Sequence, residues 1–425
     1  MLSPQTVLDD SVVAGSENLL PVENRADRFD EVFSRAPVYD LIFSSLEQQC
    51  MIRTSQTCHL VSGAVQEYSR RAFSINRHLS RFFADPLGFR SLQARTGTLI
   101  SGSNALQFFD RTFYPRSDLD IYVHPGHVRE VMEWLAEMEG YEFIPTNKQP
   151  GDFRRLAPDN WDGTQRPTVV RADNDPADME PYVMKGVKTV FTFVKVTGLI
   201  VEGEEELLVV QVMESKVNPL EAVLNFHLSC VMNVIAFDAA YSLYPKATFN
   251  ERLALKTREP GEGEHALAMA KYTTRGWTLV SKVKPTNKLF MPYSVRTVGD
   301  SSTWTIPLDV TGVQLRPALT PTSQVFTWDP VIHNSWELRY GRTKMHAHYE
   351  PIVSTRFRYS YLATGEQLFR AMSRFLMDKA PLFAPAEKEN WAWWDFIIPM
   401  CREQAVERTT PPDIPVDHFA SFAIR

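Results

Sequence analysis

The chain has 425 residues, 44% of them hydrophobic, which allows two or three domains with ordinary packed cores. Its 45 Lys and Arg against 51 Asp and Glu leave a net charge of −6, so composition carries no strong nucleic-acid signal. Four scattered cysteines, Cys50, Cys58, Cys230 and Cys401, suit neither a zinc module nor a disulfide scaffold and point to a reducing, cytoplasmic or nuclear compartment. The N-terminus lacks a basic-then-apolar segment, and no apolar run reaches about 18 residues, so neither a signal peptide nor a membrane span is expected.

Residues 1–33 are acidic and poor in aromatics, the composition of a disordered leader. At Pro37 the texture changes, and residues 34–84 read as a helical module. Leu41, Ile42, Leu46, Ile52 and Leu60-Val61 are its apolar positions. Ala36-Pro37, Leu41-Ile42-Phe43 with Leu46, Ile52-Arg53, and Thr57-Cys58-His59-Leu60-Val61 together resemble the F-box. That resemblance implies a Skp-type adaptor of a cullin-RING ubiquitin ligase as partner. The same pattern also reads as a helical extension packed on the next domain. Ala64 to Phe83 predicts one longer helix, with Ala72, Ile75, Leu79, Phe82 and Phe83 on one stripe and Arg70, Arg77 and Arg81 on another. The basic stripe suits a solvated face or contact with phosphates. Asp85-Pro86-Leu87-Gly88 reads as the close of that helix.

Residues 90–276 carry the most informative stretch. Thr98-Leu99-Ile100 is β-prone, Ser101-Gly102-Ser103 breaks it, Asn104 to Phe113 can be helical, and Tyr114-Pro115-Arg116-Ser117 is turn chemistry. Asp118-Leu119-Asp120-Ile121-Tyr122-Val123 then alternates acid and hydrophobe. On a strand Asp118 and Asp120 share a face, roughly 7 Å apart at their backbones. Two adjacent carboxylates repel unless a cation lies between them, and Mg²⁺ is commonly held by one or two carboxylates plus substrate phosphates. A Gly-Ser helix start offers backbone N–H groups to a phosphate.

Ser101-Gly102-Ser103 followed by Asp118-Leu119-Asp120-Ile121 resembles the signature of the nucleotidyltransferase superfamily typified by DNA polymerase beta. The resemblance implies that Asp118 and Asp120 are catalytic and hold Mg²⁺. It also implies that Gly102 and Ser103 bind a nucleoside triphosphate. The superfamily's third carboxylate normally sits between hydrophobes on a neighbouring strand. Val187 to Val196 and Leu207 to Met213 read as paired strands around a turn, Gly198 to Glu206. The polar residue at the corresponding place is Gln211, with Glu214 on the opposite face. An amide carries no charge and cannot take a proton, so the resemblance implies a degenerate site in which Gln211 contributes only to binding. An active Mg²⁺-dependent transferase and an F-box-type substrate adaptor are the alternatives.

Between these strands, Val128, Val131, Leu135 and Met138 predict a helix ended at Gly140, and Tyr141 to Ile144 a strand. Asp173, Asp175 and Asp178 lack the glycine turn and terminal Glu of a calcium loop. Asn218-Pro219-Leu220-Glu221 opens what reads as one apolar helix to Phe237, with His227 a core histidine. Glu264 to Arg275 predicts another helix stopped by Gly276. Residues 277–425 read as a mixed β/α lobe with helices at Gly365 to Met377 and Lys388 to Ala405. His346 and His348 are too few for zinc, and Trp391, Trp393 and Trp394 suit a core or interface. The expected fold is α+β: a helical N-terminal module, a small mixed sheet with helices, and a mixed C-terminal lobe.

Overall fold

Local chemistry makes the strand–helix–strand unit at the centre. Three β-prone residues form β1 (Leu99–Ser101), and Gly102, at φ +69°, turns the chain directly into helix α7 (Gly102–Asp110). Arg111, left-handed at φ 52°, ends α7, and strand β2 (Leu119–Val123) returns antiparallel to β1. In the computed structural model the described residues are 22–115, 117–156, 184–201, 203–257, 264–281, 295–315, 329–340, 345–353, 357–379, 395 and 397–407.

The chain divides into two compact units, up to Arg71 and from Ala72. The first contains α1 (Val22–Ser34), α2 (Ala36–Ser45), α3 (Gln48–Ser55) and most of α4 (His59–Ala72). Helix α1 covers residues expected to belong to a disordered leader. Its Phe29 and Phe33 rings, four residues apart, lie 4.9 Å from each other, the spacing at which helical side chains meet. Among the described residues of this unit the buried side chains are Tyr39, Phe43, Met51, Val61, Ala64, Val65 and Tyr68. Leu41 and Ile42, read from sequence as apolar positions of the module, are exposed instead, because α2 turns Tyr39 and Phe43, four apart, inward; Ile52 on α3 and Leu60 on α4 are exposed too, while Val61 is buried.

The helix expected over 64–83 is two helices, because the chain turns extended at Ser74 before α5 (Ile75–Leu79). Arg70, Arg77 and Arg81 therefore share no continuous helical face. Asp85-Pro86 does not close a helix; it opens α6 (Pro86–Thr96), where Asp85 accepts a hydrogen bond from Gly88 N and Pro86 occupies the first turn.

After β2 come α8 (Val128–Glu137), β3 (Glu142–Ile144), the long hairpin β4 (Val187–Val201) and β5 (Glu204–Ser215), and α9 (Pro219–Leu224). Asn218 caps α9 by accepting from Leu220 N at 2.8 Å. The apolar run after it is not one helix: α9 ends at Leu224, His227 lies in a bend between α9 and the next strand, and β6 (Asn233–Ile235) and β7 (Ala239–Ser242) take the chain into the sheet. A fully buried apolar run serves strand and helix alike, so the sheet decided its form. The sequence then gives β8 (Leu253–Leu255), α10 (Glu264–Thr274), β9 (Thr278–Val280), β10 (Arg296–Thr297), β11 (Trp304–Pro307), β12 (Ser335–Tyr340), β13 (Met345–His348), β14 (Glu350–Ile352), β15 (Tyr361–Ala363), α11 (Glu366–Lys379) and α12 (Ile397–Glu407).

The fold is α+β. Its main sheet is mixed and eight-stranded, in the order β11-β7-β6-β1-β2-β5-β4-β3. Strand β5 runs parallel to β2; the other neighbours are antiparallel. Strand β11, from the region read as a mixed β/α C-terminal lobe, is an edge of this sheet. Its Trp304 packs against Phe73, Phe109 and Phe249, with ring centroids 5.7, 4.9 and 5.5 Å away. Such aromatic contacts contribute about 1 kcal/mol each beyond area burial. The core of this unit therefore runs on into the C-terminal region. Among the described residues no helix is long and apolar enough to cross a membrane. Asp173, Asp175, Asp178, Trp391, Trp393 and Trp394 lie outside the described residues.

Candidate functional site

Register across the sheet assembles the site. Ser101 on β1 lies opposite Asp120 on β2, Asp120 lies beside Gln211 on β5, and Gln211 lies opposite Thr192 on β4. Paired residues on adjacent strands put their side chains on one face. Leu119, Ile121 and Val123 alternate to the other face and are fully buried. Asp118 sits just ahead of β2, two residues before Asp120. Both aspartates are half-buried, Gln211 is 1% exposed, and Ser101 Oγ donates to Asn233 O at 2.5 Å.

Gly102 stands directly beneath Asp120. A Cβ built on it would lie 2.4 Å from Asp120 Oδ2, and its φ of +69° also disfavours any side chain. The start of α7 and the carboxylate of β2 are therefore in close contact. Ser103 follows, buried, in the first turn of the helix. The structure sets Gly102, Asp120 and Gln211 against one another, with Ser103 next to Gly102 in the first turn of α7 and Asp118 two residues ahead of Asp120 in the chain.

Sequence reasoning missed the clamp on the loop between α7 and β2. Gln107 on α7 accepts from Tyr114 N at 2.7 Å and donates to Ser117 Oγ at 2.8 Å. Arg81 donates to Tyr114 O at 3.2 Å and to Pro115 O. The Arg275 guanidinium lies 3.5 Å from the Tyr114 ring centroid. The basic stripe that contained Arg81 was the available signal, but its helix is broken. Behind α7, His78 Nε2 and Asn104 Oδ1 are 2.8 Å apart, and burial pushes His78 below its ordinary range. Glu214, on the face away from Asp120, pairs with Lys188 at 2.9 Å.

The cation donors expected from sequence are two carboxylates, Asp118 and Asp120, and one neutral amide, Gln211. Among the described residues no group of three or more His, Cys, Asp and Glu side chains could hold a metal. Two carboxylates fit one hard divalent ion whose remaining ligands come from water or phosphate oxygens. They do not supply the anionic oxygens that two such ions require.

No protein-family model matches the chain, and neither a curated protein nor a solved structure matches it.

Proposed function

We propose that the sheet-bearing region is a nucleotidyltransferase-like domain in degenerate form, which binds a nucleoside triphosphate with one divalent cation and turns it over very slowly or not at all. The observation that carries this reading is the register Asp120 to Gln211 on adjacent parallel strands, with Gly102 packed under the Asp120 carboxylate. Asp118 and Asp120 would hold Mg²⁺. When bound, the ion neutralises the carboxylates and the phosphate oxygens together. The first-turn N–H groups of α7, at Gly102 and Ser103, suit a phosphate. Gln211 can donate and accept hydrogen bonds, but it cannot serve as the general base, a role worth about 10²–10⁴-fold in rate.

The test is thermal denaturation of the full chain with Mg²⁺ and each common nucleoside triphosphate, on wild type and on Asp118→Asn/Asp120→Asn. A ligand selective for the folded state raises stability by mass action. A shift in wild type that the double variant loses is the expected result. An equal response in both proteins overturns the reading. Fast Mg²⁺-dependent transfer by wild type would favour the active-enzyme alternative, with another acid completing the site.

A second reading concerns the N-terminal unit. Leu41 is 73% exposed, Ile52 48%, and Ile42 and Leu60 37% each, on the helices whose residues resemble an F-box. Apolar side chains concentrated on the surface of so small a unit suit a docked partner, and a Skp-type adaptor is the partner the resemblance implies. Micromolar binding of purified full-length protein to such an adaptor, lost on truncation before Arg77, is the expected outcome. Absence of binding leaves these helices a structural extension only.

A further inference from the structure

We propose that Arg81 is a positioning residue for Asp118: its guanidinium fixes the loop that delivers the first carboxylate of the pair and ties that loop to the β4–β5 hairpin. The proposal rests on the reading that Asp118 and Asp120 hold a cation.

Arg81 follows α5 and belongs to neither β1, α7 nor β2, yet it grips the loop between them. One end nitrogen donates to Tyr114 O at 3.2 Å, and the other donates to Pro115 O. That second nitrogen also lies 3.5 Å from Glu206 Oε1 on β5, with both side chains 19% exposed. The guanidinium carbon stands 4.8 Å from the Phe113 ring centroid and 5.3 Å from that of Phe82. Glu206 is held in turn by Thr197 Oγ1 at 3.3 Å. The loop at Tyr114 is thus seized from two sides: its N–H by Gln107 and its C=O by Arg81.

Pro115 precedes Asp118 by three residues, so fixing its carbonyl limits where the carboxylate can be. Burial lowers the Arg81 pKa, while the charges of Glu206 and Asp118 raise it. Arginine stays protonated throughout the working range. Lysine cannot reproduce a fork that reaches two carbonyls and a carboxylate together.

Two effects of this residue on a cation have opposite signs, which makes the role testable. A positive charge near Asp118 by itself repels a cation, so deleting it tightens binding. A clamp that pre-organises the carboxylate favours binding, and deleting it weakens binding. Loss of an outer partner of a metal ligand typically costs 10–100-fold in affinity. The proposal commits to the second effect.

The experiment is a Mn²⁺ titration of the full chain followed by electron paramagnetic resonance, on wild type, Arg81→Met, Arg81→Lys and Glu206→Gln. Hydrogen exchange at the Tyr114 and Ser117 amides is measured in parallel. Arg81→Met is expected to weaken Mn²⁺ binding about tenfold and to speed exchange at both amides. Arg81→Lys should rescue it only in part, and Glu206→Gln should stay within about threefold because the carbonyl contacts remain. Wild-type or tighter Mn²⁺ binding by Arg81→Met overturns the proposal. If Arg81→Met fails to fold, Arg81→Lys decides by the same criteria. If wild type shows no Asp118- and Asp120-dependent Mn²⁺ binding, the functional reading fails. The exchange data then decide the clamp alone, and unchanged exchange in the variants overturns it.

Discussion

The two units keep their most telling residues in opposite environments. In the helical unit, Leu41, Ile42, Ile52 and Leu60 are apolar and lie in water. In the sheet unit, Ser101, Asp120, Gln211 and Thr192 are polar and lie in one row of a largely buried sheet. Neither placement is the stable default: buried polar groups cost free energy unless satisfied, and exposed apolar groups lose the benefit of burial. The contrast teaches where to look. An exposed apolar group offers adhesion and waits for a partner surface. A buried polar row offers directed hydrogen bonds and charge, which suit a small polar ligand.

The largest expected effect breaks the sheet side of this contrast. Gly102→Val adds both backbone strain at φ +69° and a clash with the Asp120 carboxylate. Urea unfolding should show a loss of ~3 kcal/mol. A loss under 1 kcal/mol would mean that Gly102 and Asp120 are not in close contact in solution.

Next in size is the helical side. Leu41→Asp/Ile42→Asp changes only exposed positions, so the melting temperature should hold. Adaptor binding should weaken by about 2 kcal/mol, the scale of an interface hot spot. A large drop in melting temperature would show that these side chains are packed after all, and would erase the contrast.

Gln211→Glu sharpens the reading of the polar row. A third carboxylate beside Asp120 should tighten divalent-cation binding about tenfold, roughly 1.4 kcal/mol, in a calorimetric titration. Unchanged affinity would separate Gln211 from the cation-binding face.

The smallest effect tests burial against charge elsewhere in the same sheet. Burial pushes the Asp238 carboxyl, in the β6–β7 turn, up to about 6 from an ordinary 3.8, against the pull of Arg90. A raised folded value means that stability from the bound proton is full at low pH and lost as pH rises through about 6. Asp238→Asn carries no charge at any pH. It should match wild type near pH 4 and exceed it by ~1 kcal/mol above pH 7 in denaturant titrations at the two pH values. A gain confined to low pH would reverse the assignment.

Sequence by itself determined the local pieces whose signals are short-range. The order strand, glycine turn, helix, turn and strand from Leu99 to Val123 follows from residue types within a few positions of one another. So does the Asn218-Pro219 start of α9. The alternation that turns Asp120 to the face opposite Leu119 and Ile121 follows from the period of a strand, and so does the opposite facing of Glu214 and Gln211.

Only the tertiary structure decided the rest. Register between β2 and β5, which sets Gln211 beside Asp120, joins residues 91 positions apart, and no local signal encodes that distance. The apolar run after Leu224 became bend and strand because the sheet offered hydrogen-bond partners and burial on both faces. Trp304 entered the main sheet on β11 because the aromatic side of α7 needed cover. Arg81 left its anticipated stripe because Ser74 broke the helix, and its partners became loop carbonyls brought near only by folding. Side-chain periodicity can be read along a chain, whereas the partner across a sheet or loop is chosen by packing, and here it is packing that assembled the site.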